Sequence, residues 1–298
     1  MSCPVCSSDR DRSTDILIDG ATLRRCLACR VAHWDSAWDA HQVVAHYRNY
    51  YADRSVVWSP ITEQRYHAIL DRVEALRTPG RLLEVGCGTG HFLAVAAARG
   101  WQPVGLEISA SAHEQIQRLN TNRPSAFVVH AIDVMDADFP PGQFQTAILI
   151  EVLEHMVDPR ACLQRLHAWL APGGVLYLTT PNVDSLSRFA LGARWRAIEP
   201  EHRCLFNPRA LATLLARSGF RPMRTVTKNI DLPEILAKWR SARRSTSPQR
   251  TTEATQALRE AAEASRLLRT AKAVVNGMLK LTSLGETLEV LAVKRSGA

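Results

Sequence analysis

From about residue 80 the chain alternates short, mostly apolar runs with stretches whose apolar positions recur at helical spacing. The short runs are Leu82-Leu83-Glu84-Val85, Val104-Gly105-Leu106-Glu107-Ile108, Phe127-Val128-Val129, Thr146-Ala147-Ile148-Leu149-Ile150 and Val175-Leu176-Tyr177-Leu178. Runs of this kind suit strands buried on both faces, with the helices between them as the cover. The order predicts an α/β fold built on a mostly parallel sheet, with ligands at the carboxyl ends of its strands. Ahead of this core, Asp15 to Arg25 reads as a hairpin turning at Asp19-Gly20, and Thr62 to Leu76 as a helix. After the fifth strand, Thr179-Thr180-Pro181-Asn182 opens a loop. A helix from Pro208 to Ser218 follows, and Gly219-Phe220 ends it and starts a sixth strand. From about 230 to 284 the period is helical, with breakers from Ser241 to Thr252, and Gly285 to Lys294 is strand-like again.

The first strand runs into Gly86-Cys87-Gly88-Thr89-Gly90, a loop that opens a helix. Glycines there let the backbone turn sharply and approach a ligand at the helix amino end. The spacing is G-x-G-x-G, not the G-x-G-x-x-G of dinucleotide folds, and Glu84 stands two positions before it. A carboxylate at that point repels a pyrophosphate and suits a ligand carrying an ammonium group. Glu107, about twenty residues on at the end of the second strand, stands where such folds place an acceptor for ribose hydroxyls.

These segments resemble a class I S-adenosylmethionine-dependent methyltransferase, whose first motif matches at Glu84, Gly86, Gly88 and Gly90. The resemblance implies a seven-stranded Rossmann-like sheet whose last, antiparallel strand is Gly285 to Lys294. It also places Asp133, in Ala131-Ile132-Asp133-Val134, beside the exocyclic amine of adenine. The expected cofactor set is Glu84, Gly86, Cys87, Gly88, Gly90, Glu107, Ile108, Asp133, Val134 and Glu151. One departure is Gln145, where relatives carry Asp after the phenylalanine; it lies at the amino end of its strand, away from the ligand edge.

Four of the seven cysteines fall as Cys3-x-x-Cys6 and Cys26-x-x-Cys29, nineteen residues apart. That is the spacing of two knuckles that close a tetrahedron of thiolates around a structural Zn2+. With all four positions filled by sulfur, no open position remains for catalysis at the metal. Trp34, Trp38, Tyr47, Tyr50, Tyr51 and Trp58 follow; they either wall a substrate pocket or pack between this ribbon and the sheet. The expected divisions are a zinc ribbon at 1–32, an aromatic connector at 33–79, the cofactor-binding core at 80–229, a helical insertion at 230–284 and the final core strand at 285–298.

For chemistry, a hydroxyl acceptor needs a base. His155 and His202 are the candidates, with Glu151 beside them at the cofactor edge. His155 either acts directly or packs beneath the cofactor. Glu151, Glu154 and His155 also form an E-x-x-E-H arrangement that resembles quinone-biosynthesis O-methyltransferases, where it is associated with a divalent metal. The loop ending in His202 resembles small-molecule methyltransferases in which such a loop faces the acceptor.

With 298 residues, 46% hydrophobic and 22% charged, the chain has the balance of a globular domain that buries a full core. The absence of a signal-peptide pattern or a spanning apolar run predicts a cytoplasmic protein. The net charge of +8 permits nucleic acid, an anionic membrane or a phosphorylated substrate without selecting one. Ribbon, tyrosine-rich connector and core together resemble bacterial methyltransferases acting on sugars and other biosynthetic intermediates. That favours methyl transfer to a hydroxyl or carbon of a small or sugar-linked acceptor. The alternatives are an RNA methyltransferase, against which the ribbon shows no stacking surface, and a non-catalytic cofactor-binding scaffold. Residues 274–281 are amphipathic enough to raise peripheral membrane contact, but such helices more often cover a core.

Overall fold

A computed structural model describes residues 2–36, 38–48, 50–52, 59–121, 127–230 and 282–295, with the single positions 235, 277 and 279. Trp58 and nearly all of the 230–284 insertion lie outside them.

The amino-terminal hairpin forms as its turn chemistry dictates. Strands β1 (Asp11–Ile18) and β2 (Ala21–Cys26) pair antiparallel, and Asp19 and Gly20 both take positive φ, at 50° and 81°. A third strand, β3 (Ala32–Trp34), pairs with β2 and carries this sheet past the expected boundary at residue 32. Two connector helices follow, α1 (Ala40–Arg48) and α2 (Pro60–Glu74). The second starts two residues earlier than expected because Ser59 caps it and Pro60 stands in its first turn; it buries Ile69, Leu70 and Val73.

The core alternates β4 (Arg81–Val85), α3 (His91–Ala98), β5 (Gln102–Leu106), α4 (Ala110–Thr121), β6 (Val128–His130), β7 (Phe144–Ile150), α5 (Pro159–Trp169) and β8 (Leu170–Pro181). Then come α6 (Leu186–Leu191), a two-residue strand β9 (Cys204–Leu205), α7 (Pro208–Arg217), β10 (Phe220–Lys228) and β11 (Thr287–Lys294). The seven-stranded sheet has the order β10-β11-β8-β7-β4-β5-β6, with β11 antiparallel to both neighbours. The late strand-like segment therefore does return to the sheet. Strand β8 runs on through Pro181, so Thr179-Thr180-Pro181 belongs to a strand paired with β11 and not to a loop.

The faces sort by the two-residue period. Leu83, Val85, Leu176 and Leu178 pack in the cluster that also holds Leu163 and Leu166 of α5 and Leu211 and Leu214 of α7. Leu82, Val175 and Tyr177 face the cluster with Ile69 of α2 and Phe92 of α3. Chain order reverses between β4 and β7: successive strands add outward through β5 on one side and β8 on the other. That switch point opens a crevice at the carboxyl ends of both strands.

Strand β9 pairs with β3 and completes a four-stranded sheet out of amino-terminal and core residues. Cys3, Cys26 and Cys29 pack in the same apolar cluster as the strands of the main sheet, so the ribbon is continuous with the core. Among the described residues, no helix is long and apolar enough to cross a membrane.

Candidate functional site

The glycine loop fills one wall of the crevice. The Gly86 and Cys87 N–H groups both reach the Leu106 carbonyl, at 2.8 and 3.1 Å, which folds the loop back on β5. Gly86 and Gly88 need to be glycine for two reasons. Both have positive φ, and a Cβ would lie 2.7 Å from Val152 Cγ2 at Gly86 and 2.7 Å from the Tyr51 hydroxyl at Gly88.

Glu107 stands directly after β5. Its two oxygens accept from Gly88 N at 2.8 Å and Ser109 N at 2.7 Å. Burial pushes its carboxyl up, and those N–H donors pull it back. Glu84 is 3% exposed, and its Oε2 has no partner. Burial first, and the Glu107 charge second, push the Glu84 carboxyl well above the usual range. Two buried acids facing one crevice with an orphan oxygen form a cation-seeking pocket. An ammonium-bearing nucleoside fits that donor set, because it supplies the charge that Glu84 lacks. Cys87 and Val134 are buried and Ile108 half-buried beside it. Asp133 lies in the loop after β6, where its Oδ1 accepts from Met135 N at 2.7 Å.

Glu151, Glu154 and His155 do not share one helix. Glu151 leaves β7 in the left-handed region, with φ 57°, and its N–H is tied to the Thr179 carbonyl at 3.1 Å. Only Leu153–His155 form a helical turn, of 3₁₀ type. That geometry sends Glu154 inward: it is fully buried, Oε2 accepts from Thr180 Oγ1 at 2.9 Å, and Oε1 has no hydrogen-bond partner. Burial, and then the neighbouring Glu151 carboxylate, push the Glu154 carboxyl well up.

His202 arrives from the loop before β9, its ring centroid 4.6 Å from that of His155. His202 Nδ1 lies 2.8 Å from the Ala197 carbonyl and His155 Nδ1 3.1 Å from the Glu201 carbonyl. A carbonyl only accepts, so in both rings Nδ1 carries the proton and Nε2 keeps its lone pair. Burial, then the second imidazole, hold His155 down to about 3. Burial also lowers His202, opposed first by its bond to Ala197. His155 and His202, the two candidates from the sequence, thus stand ring to ring with both lowered by burial. The donor cluster also differs from the expected Glu151, Glu154 and His155: the ligand atoms that converge, within 4.8 Å of one another, belong to Glu154, His155 and His202.

Residues from the connector complete the site. The Tyr47 hydroxyl is 2.9 Å from His155 Nδ1, and Tyr47, Tyr50 and Tyr51 form a chain of ring contacts running toward the glycine loop. Gln115 donates to the Tyr51 carbonyl at 3.1 Å, which pins this strap to α4. The i, i+3, i+4 spacing of these tyrosines was the signal available in the sequence; their targets were not.

The four amino-terminal cysteines bring their sulfurs within 4.8 Å of one another, with Cys3 to Cys29 and Cys6 to Cys26 each at 3.6 Å. A tetrahedral zinc with bonds of about 2.3 Å separates its sulfurs by about 3.8 Å, so the cluster fits that ion. The Cys29 thiol holds Cys3 down to about 5 while Cys29 itself is pushed up, as expected of sulfurs sharing a proton.

A family profile described as a methyltransferase domain matches residues 60–225, more than half of the chain. A ubiquinone biosynthesis O-methyltransferase of Xanthomonas campestris pv. campestris is 33% identical over 117 residues, covering 38% of this chain and 48% of that protein. An uncharacterized methyltransferase of Mycobacterium tuberculosis is 34% identical over 121 residues, covering 41% of this chain and 60% of its own. The chain thus spans about half the length of the curated relatives it matches. Among solved structures, the [4+2]-cyclase SpnF superposes with a TM-score of 0.58 at 19% identity, over 88% of this chain and 98% of that one. The 1,6-didemethyltoxoflavin-N1-methyltransferase of Burkholderia thailandensis gives 0.54 at 16% identity, over 96% and 100%. At these identities the structural likeness speaks for the fold alone.

Proposed function

Because the chain belongs to the methyltransferase-domain family, with the class I S-adenosylmethionine-dependent fold, we propose that it moves a methyl group from S-adenosylmethionine to a small biosynthetic acceptor. A hydroxyl or carbon of a sugar or related intermediate is the acceptor we favour. The observation that carries the cofactor is the pairing of the unpartnered, buried Glu84 with Glu107 around a glycine loop that no larger residue fits. Glu84 would hold the ammonium end, Glu107 the ribose and Asp133 the adenine amine. When bound, S-adenosylmethionine supplies an electrophilic methyl carbon on a sulfonium.

The chain's own residues then align the acceptor, exclude water and accept its proton. Tyr47, Tyr50 and Tyr51 cover the crevice. His202 Nε2 takes the acceptor proton, because its Nδ1–H is fixed by the Ala197 carbonyl and the ring is thereby held in the accepting tautomer. His155, locked by Tyr47 and Glu201, keeps the facing ring in place. Support for a small-molecule acceptor comes from relatives named as ubiquinone biosynthesis O-methyltransferases. We assign a structural zinc to Cys3, Cys6, Cys26 and Cys29 on their sulfur spacing.

A second reading concerns the same cluster. An orphan Glu154 oxygen beside two imidazoles is a donor set for a divalent cation that would orient an acceptor with adjacent oxygens. Transfer that persists undiminished in excess chelator removes this reading.

The experiment for the main proposal is transfer of labelled methyl from S-adenosylmethionine into extract of the source cells, with products split into RNA, lipid and low-mass fractions. Label in the low-mass or lipid-linked sugar fraction supports it. Label in RNA overturns the acceptor class, and binding of S-adenosylhomocysteine without any transfer leaves a cofactor-binding scaffold.

A further inference from the structure

Trp34 of the ribbon reaches the turn that carries His202. Trp34, on β3, is 2% exposed, and its indole Nε1–H points at two carbonyls of the core, His202 at 3.1 Å and Glu199 at 3.3 Å. Those two residues are the ends of a single turn, closed by the His202 N–H on the Glu199 carbonyl at 3.0 Å. An indole only donates, so a buried one commits to whatever acceptors its ring position dictates. Here it clasps both ends of the turn that carries His202.

The same turn orients both imidazoles. His202 Nδ1 bonds the Ala197 carbonyl just before it, and His155 Nδ1 bonds the Glu201 carbonyl within it. Directly after it, β9 pairs with the ribbon strand at Ala32↔Leu205 and His33↔Cys204. Beneath it, Trp34, Leu23 and Ala32 of the ribbon pack in one apolar cluster with Trp195, Ala197, Ile198 and Leu205 of the loop. The segment from Ala197 to His202 is thus held by the ribbon on one side and carries the His202 imidazole on the other, against His155.

We infer that Trp34 is a positioning residue for His202, and that the ribbon serves as the back wall of the reaction centre and not as a recognition module of its own. This rests on His202 belonging to that centre, as proposed above. A ribbon used to grip a separate partner would leave the core loop to fold by itself. Instead the loop borrows a strand, a hydrogen-bond donor and an apolar floor from it.

The test is Trp34→Phe in the full chain, which keeps a ring and removes the N–H. Three readouts are taken: S-adenosylhomocysteine affinity by calorimetry, labelled methyl transfer into the low-mass extract fraction, and the imidazole Nδ1–H resonance of His202 in ¹⁵N-histidine-labelled protein, assigned by its absence in His202→Gln. Expected are an affinity within about twofold of wild type, transfer reduced about 10- to 100-fold, as displacement of a reacting group on the ångström scale brings, and loss or broadening of the His202 signal. An unchanged signal with unchanged transfer overturns the inference. So does a loss of cofactor affinity matching the loss of transfer, since Trp34 would then only hold the fold together.

Should Trp34→Phe not fold, Leu23→Ala takes its place. Leu23 is the cross-strand neighbour of Trp34 and packs with it against Ala197 and Ile198, so its truncation loosens the ribbon face behind His202. A broadened His202 signal with cofactor binding retained supports the inference, and a sharp, unshifted one overturns it. Failure of the reaction-centre reading looks different: His202→Gln would then transfer methyl at the wild-type rate, whatever Trp34 does to the resonance.

Discussion

Glu107 reaches across from the end of β5 to accept the Gly88 backbone N–H at 2.8 Å, so the acid expected to hold a ribose also fastens the glycine loop. The two roles make a joint prediction. Glu107→Ala should weaken S-adenosylhomocysteine binding at least about tenfold, and should also lower stability by about 1–3 kcal/mol, because the Gly88 and Ser109 N–H groups lose their partner. Calorimetry and thermal melting read the two effects separately. Unchanged affinity with a lowered melting temperature would mean that Glu107 serves the loop and that the ribose lies elsewhere.

The Tyr47–His155 contact predicts a different split. Tyr47→Phe removes the hydroxyl that lies 2.9 Å from Nδ1 and leaves the ring packing. Cofactor affinity should stay within about twofold while methyl transfer falls by about tenfold, the loss of one bond that orients the ring facing the His202 base. Equal transfer by the two proteins would reduce Tyr47 to a packing residue.

The placement of the glycine loop and its two acids at the sheet edge was readable from sequence and that of the histidine pair only in part, for a physical reason. Glu84, Gly86, Gly88 and Glu107 sit on consecutive strand-to-helix turns, where chain position dictates location at the sheet edge. His202 depends on a two-residue strand that forms only because β3, some 170 residues earlier, offers an edge. No local pattern announces such a pairing. The same holds for the E-x-x-E-H segment: β7 ends in a left-handed residue at Glu151 and only Leu153–His155 form a helical turn, which no local pattern announces. The hairpin at Asp19-Gly20 was legible because its turn residues encode it locally, and the antiparallel β11 because its stretch resembles the last strand of the family.

The cysteine cluster predicts metal content. Chain purified from zinc-replete medium should carry about one zinc by atomic emission, and Cys26→Ser should lower that to under about 0.1, since three thiolates and a hydroxyl bind far more weakly. The variant should also melt earlier, because Cys26 is 1% exposed inside the cluster that joins ribbon to sheet. A folded wild-type chain with no zinc would show that the four sulfurs pack as thiols.

Away from the crevice, Glu289 of β11 is a buried carboxylate that ties three elements together. It accepts from the Tyr177 hydroxyl at 2.9 Å, pairs with Lys228 of the edge strand, and faces Arg72 of α2 at 3.5 Å. Burial pushes its carboxyl up, but the Lys228 charge and hydrogen bond, with Arg72 and Tyr177, outweigh that and leave it below its ordinary value. Lys228 is itself held low by burial, against the pull of Glu289, so removing the acid strands a buried ammonium. A carboxyl depressed in the folded state contributes stability that is present above its unfolded value of about 4.3 and is lost as pH falls through the lower folded value. Glu289→Gln should therefore be less stable than wild type at pH 7 by about 3 kcal/mol, the effect of breaking one side of a buried pair. As pH falls toward the depressed folded value the wild-type carboxyl protonates and comes to resemble the amide, so the gap should narrow. Urea unfolding of both proteins at pH 7 and at pH 3 measures it. A gap of the same size at both values would mean that the hydrogen bonds of Glu289, and not its charge, hold β11 against its neighbours.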